Sequence, residues 1–161
     1  MSTAYSGDGI TFPDNSVQAT APRVGMVNRV INGDMRVSQR NAGASVTPTA
    51  NTYTVDRWQF VCGAVASKFS VQQNAGSVTP PVGYTKYLGA TSLSAYSIAA
   101  TDKFTQSQSI EGLNVADLGW GTANAQIVTV SFWVRSSLTG TFGGSLQNNS
   151  GNRSYPFTYT I

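Results

Sequence analysis

The chain contains no histidine. That excludes a Ser–His–Asp triad, a histidine general base and any His-ligated zinc from its chemistry. Cysteine occurs once, at Cys62, so no disulfide can form within the chain, and stability must come from the core or from assembly. Cys62 ends the run Arg57-Trp58-Gln59-Phe60-Val61-Cys62, which is apolar and strand-like; a buried, inert thiol is expected there rather than a nucleophile. Glutamate also occurs once, at Glu111, and the aspartates are scattered, so no acid pair for glycoside cleavage suggests itself. No apolar stretch reaches the roughly 18 residues a membrane helix needs. The opening residues, Met1-Ser2-Thr3-Ala4-Tyr5, lack the basic and apolar regions of a secretory signal, and none is expected. The expectation from these absences is a protein without catalysis, cofactor, bound metal or membrane insertion.

Charge is scarce as well. Charged residues make up 11% of the chain, against roughly 25% in an average soluble domain, so the surface must be built from Ser, Thr, Asn and Gln. The net charge of +3 reflects a shortage of acids more than a basic patch. Four arginines, Arg23, Arg29, Arg36 and Arg40, lie close in sequence, but no dense basic run with interleaved aromatics accompanies them, and nucleic acid is not an expected partner. What is present suits a β-protein. With 161 residues, 40% of them hydrophobic and 11% aromatic, the chain can bury the core of one domain and carry an appendage.

Period-two patterns run through it. Ile10-Thr11-Phe12 and Val17-Gln18-Ala19 flank the turn tetrapeptide Pro13-Asp14-Asn15-Ser16, which predicts a hairpin over residues 10–20 with Ile10, Phe12 and Val17 on its buried side. A lone two-stranded hairpin is marginal in water, so those three residues are candidates for oligomerisation. Asn32-Gly33 is a strong turn signal. Trp58, Phe60 and Cys62 alternate with Arg57, Gln59 and Val61, and Phe69 and Val71 alternate with polar neighbours. In residues 128–135, Val128, Val130, Phe132 and Val134 point one way, while Thr129, Ser131, Trp133 and Arg135 point the other. Tyr155, Phe157, Tyr159 and Ile161 form a similar series. A short helix is expected within residues 110–118, stopped by Gly119. Many short strands with Gly- and Asn-rich turns predict an all-β, antiparallel sandwich over residues 26–161, with residues 1–25 as an N-terminal attachment and oligomerisation segment.

Several of these stretches carry a family resemblance. Gly9-Ile10-Thr11-Phe12-Pro13-Asp14-Asn15-Ser16-Val17-Gln18-Ala19-Thr20-Ala21 resembles a segment common in bacteriophage tail-fibre proteins, which usually has Gly after the Asp and Thr before the Val. Asn32-Gly33-Asp34 followed by Tyr53-Thr54-Val55-Asp56-Arg57-Trp58 is similar to the opening of their jelly-roll, carbohydrate-binding-like domains. The likeness continues through Ser109-Ile110-Glu111-Gly112, Asp117-Leu118-Gly119-Trp120-Gly121-Thr122, residues 128–136 and Asn152-Arg153-Ser154-Tyr155. It implies a jelly roll completed by strands beyond Ile161 and a homotrimer assembled in the host cytoplasm into the virion. It also implies attachment to other tail or baseplate proteins through the N-terminal segment, and binding to bacterial surface polysaccharide. A capsid decoration or head-fibre role is the alternative. For glycan recognition the candidates are Trp133, which shares the polar face with Arg135, and Trp120 in its Gly-rich loop. The tendency of tryptophan toward burial favours a covered Trp133, and Trp58 is assigned to the core. Asp34 and Asp56 offer oxygens of the kind calcium takes, but Asx turns account for both more simply.

Overall fold

The computed structural model describes residues 4–6, 9–13, 15, 17–18, 27–63 and 68–161. Among them the chain forms ten strands and two short 3₁₀ helices, arranged as four small antiparallel sheets, none of which closes on itself.

The first sheet joins β1 (Ala4–Ser6), β2 (Gly9–Thr11) and β3 (Val17–Gln18) in that order. Its β2–β3 turn is the one the sequence predicts. The Asn15 N–H donates to the Phe12 carbonyl at 2.9 Å, and Asn15 takes φ 63°, a left-handed conformation asparagine tolerates. β1 was not foreseen, because three residues with one aromatic carry no periodic signal. The expected apolar side does not form as drawn. Val17 stands opposite Thr11 and Gln18 opposite Ile10, so Val17 takes the face of Thr11; Phe12 lies past the strand, in the turn. Val17 is 55% exposed. The remaining residues of the predicted hairpin, 19–20, and the linker to residue 26 lie outside the described residues.

The core belongs to the middle of the chain. β4 (Thr52–Val55), β5 (Trp58–Cys62) and β8 (Phe104–Ser107) pair in the order β4-β5-β8. β6 (Phe69–Gln73) pairs with β7 (Leu88–Ser92), and Val46 bridges the other edge of β6 through two bonds with Val71, of 2.9 and 2.8 Å. The two sheets meet through aromatic rings. Phe69 lies 6.1 Å from Phe60 and 5.2 Å from Phe104, and Val55 and Val71 are each 1% exposed. Burying side chains of this size stabilises by about 1.5–3 kcal/mol each. The alternation in β5 does put Phe60 in the core, but Trp58 is only half-buried; its Nε1–H donates to the Asn32 carbonyl at 3.0 Å. Tryptophan with a polar tip serves as a tether here rather than as filling. The expected helix forms as a 3₁₀ helix at Gly112–Leu118, buries Leu118, and ends at Gly119 with φ 58°. A shorter 3₁₀ helix occupies Ala75–Ser77.

The last sheet is a two-stranded ribbon of β9 (Thr141–Gln147) and β10 (Ser154–Thr160), extended by two 3.0 Å bonds between Gly140 and Ile161. Phe142, Gly144 and Leu146 stand opposite Tyr159, Phe157 and Tyr155, so one face is aromatic and the other is Thr, Ser and Gly. Gly144 is required: a Cβ there would fall into the Phe157 ring. Residues 128–135, an alternating run as long as residues 154–161, join no sheet. They contribute Phe132, whose ring packs 5.0 Å from Tyr159 and 6.3 Å from Phe157. Alternation made them strand-like, but a strand also needs a neighbour, and none of the described residues supplies one.

Candidate functional site

Alternation in residues 128–135 sends Phe132 onto the aromatic face of the β9–β10 ribbon, and its neighbour Trp133 is turned out. Trp133 is 74% exposed, so the tendency toward burial does not prevail. Trp133, Phe132 and Ser131 line an open depression of about 290 Å³ together with Tyr84. Tyr84 arrives from the loop after β6, where its N–H donates to the Pro81 carbonyl at 3.0 Å and closes a turn. The depression therefore offers two aromatic rings, a phenol and a serine hydroxyl on one concave surface. Flat rings beside hydroxyl groups suit a ligand with an apolar face and hydroxylated edges. Tyr84 was not singled out in the sequence, since nothing local to Pro80-Pro81-Val82-Gly83-Tyr84 marks it beyond a turn.

The other glycan candidates lie apart from this depression's lining. Arg135 is exposed and makes no ion pair or hydrogen bond among the described residues. Trp120 is 49% exposed, but its Nε1–H is spent on the Gln126 carbonyl at 3.0 Å, which fixes the loop. The Arg153 guanidinium approaches the neighbouring Gly121, 3.9 Å from where a Cβ would stand.

The polar residues that carry the family resemblance form a clasp. Asn32 donates from Nδ2 to the carbonyls of Val37 and Asp56, both at 2.9 Å, and accepts the Val37 N–H at 3.0 Å. Asp56 accepts the Gln39 N–H at 2.5 Å, and Asp34 pairs with Arg36 at 2.8 Å. Neither aspartate closes the local Asx turn expected of it: Asp34 pairs with the Arg36 side chain two residues on, and Asp56 reaches back to Gln39. Arg57, in the left-handed region at φ 72°, reaches Glu111 at 2.6 Å and the Ser109 carbonyl at 3.2 Å. Arg29 ties Asp117 at 2.5 Å and the Asn114 carbonyl at 2.6 Å. The Arg57 guanidinium, then the backbone N–H of Glu111 and the Asn114 amide, hold the Glu111 carboxyl below the usual carboxylate range. These groups bond to one another and to main chain, and no cluster of three metal-ligating side chains occurs among the described residues. Beside the clasp, Val27, Asn28, Arg29, Ile31 and Asn114 line a second open depression of about 270 Å³.

Comparison with family models, with curated proteins and with solved structures gives no match for this chain.

Proposed function

We propose that this chain is a non-catalytic component of a bacteriophage virion, a tail-fibre or receptor-binding protein of jelly-roll type, which attaches to host-surface glycan around Trp133. The observation that carries the reading is the bare indole of Trp133 beside Tyr84 and Ser131. Trp133, left 74% exposed, gains little from burial within its own chain, whereas the C–H face of a sugar would desolvate its ring and leave the hydroxyls to the serine and the phenol. The sequence resemblance to phage fibres supports the virion placement. In this reading the N-terminal three-stranded sheet is the attachment to the tail, and the residues around the depression face the host.

Binding of the purified chain to host lipopolysaccharide or capsule tests this. Trp133→Ala is expected to weaken binding by on the order of 1–3 kcal/mol, by analogy with other aromatic stacking, or about fivefold to 150-fold. Circular dichroism of the variant should match the parent, because the ring is exposed. Unchanged binding with an unchanged fold would sink the glycan assignment.

A further inference from the structure

We propose that Asn32-Gly33 is a site of self-modification that the fold holds shut, and that its product, aspartate or isoaspartate at position 32, unlatches the clasp irreversibly. The Gly33 nitrogen attacks the Asn32 Cγ, forming the N–Cγ bond of a succinimide. The Cγ–Nδ2 bond breaks, and the amide leaves as ammonia with the proton that Gly33 gives up. Water then opens the ring, to aspartate at one carbonyl and to isoaspartate at the other. Solvent is the only co-reactant, and Gly33 is exposed to it.

The sequence allows this reaction at one place above all. Asn32 alone among the asparagines is followed by glycine, and elsewhere the next side chain crowds the attacking nitrogen. The Gly33 N–H also has no acceptor among the described residues, so no bond in the turn occupies the nucleophile.

The clasp is what restrains it. Nδ2 donates to the carbonyls of Val37 and Asp56, both at 2.9 Å, and Oδ1 accepts the Val37 N–H at 3.0 Å. The Asn32 carbonyl is held as well, by the Trp58 Nε1–H at 3.0 Å and the Met35 N–H at 3.1 Å. Ring closure makes Cγ tetrahedral and expels Nδ2, so the bonds of the amide must break for it to finish. The rate in the folded chain is therefore set by how often the clasp opens.

The product cannot rebuild what was lost. An ionised carboxylate accepts hydrogen bonds and donates none, so at position 32 it would turn an oxygen toward the two carbonyls that Nδ2 now satisfies. Isoaspartate changes more. Its main chain runs through Cγ, and the carbonyl that now holds Trp58 and Met35 becomes a pendant carboxylate. Either product frees β4 and β5 from residues 32–37.

Peptide mapping by mass spectrometry tests this on the full chain, incubated in native buffer and in urea. Deamidation at position 32 is expected to be at least about tenfold slower in native buffer. Gly33→Ala, compared in urea where folding plays no part, should slow it. Trp58→Phe removes the bond to the Asn32 carbonyl and leaves the amide in place. It should speed the native reaction at least about threefold and leave the rate in urea unchanged. Asn32→Asp supplies one product directly, and its folding equilibrium constant should fall at least about tenfold below the parent's. If that variant does not fold at all, the parent's two rates and the Trp58→Phe effect still decide. Equal rates in native buffer and urea, faster change at another asparagine, a native rate indifferent to Trp58→Phe, or an Asn32→Asp chain as stable as the parent would each overturn the proposal.

Discussion

Residues 28–126 and residues 127–161 are both β-structure, yet they treat their polar backbone in opposite ways. The first region has strands on both sides of a small aromatic core, and where strands are missing, side chains replace them. Residues 28–40 belong to no sheet, but Asn32, Asp56, Gln73 and Gln108 bond to parts of their main chain; Gln108 alone exchanges two bonds with Ile31, of 2.7 and 2.8 Å. The second region has one well-made ribbon and, beside it, a segment with no backbone hydrogen bonds among the described residues. Apolar pattern is not what separates them, since residues 128–134 are as regular as β5. The difference lies in the supply of partners: an irregular segment can be stabilised within a chain when Asn, Asp and Gln bond to it, and among the described residues none bonds to Val-Thr-Val-Ser-Phe-Trp-Val.

The sharpest way to test this contrast is to remove apolar groups from each region. Phe60→Ala should destabilise the chain by about 3–5 kcal/mol in urea unfolding, because it opens the ring cluster with Phe69. Val130→Ala, whose side chain is about half exposed, should change stability by no more than about 0.5 kcal/mol. Equal effects would mean that residues 128–134 are part of the core after all.

A smaller effect is expected at the clasp. Asn32→Ala leaves the Val37 N–H and the carbonyls of Val37 and Asp56 without that partner, at a cost of about 1–3 kcal/mol in the same unfolding measurement. A neutral result would show that water replaces the amide and that the clasp only decorates the core.

The least effect belongs to Glu111. Its folded-state pKa is lowered, chiefly by the hydrogen bond from Arg57, so its contribution is present above the unfolded-state value and is lost as pH falls through the folded one. The Tm of the parent should exceed that of Glu111→Gln near neutral pH, and the two should converge below about pH 4. Both groups are exposed enough that the gap stays small. A gap that widened toward acid would reverse the assignment.

Much of this protein was decided locally. The alternation in Trp58 to Cys62 and in Phe69 and Val71 sufficed to place Phe60 and Val71 inside, because period two leaves a half-buried strand no other orientation. Gly119 as a helix stop and Asn15 as a left-handed turn residue follow from steric limits on single residues. The absence of histidine excluded histidine-dependent chemistry, and only that, before any coordinate. Tertiary structure decided everything that depends on a partner distant in sequence. Only the fold could show that Trp58 tethers Asn32, that Tyr84 joins Trp133, that Val17 shares a face with Thr11, and that the alternating run at residues 128–135 has no strand beside it among the described residues. Periodicity records which way a side chain points; the hydrogen bonds that make a strand belong to two segments, and one segment's sequence carries only half of that information.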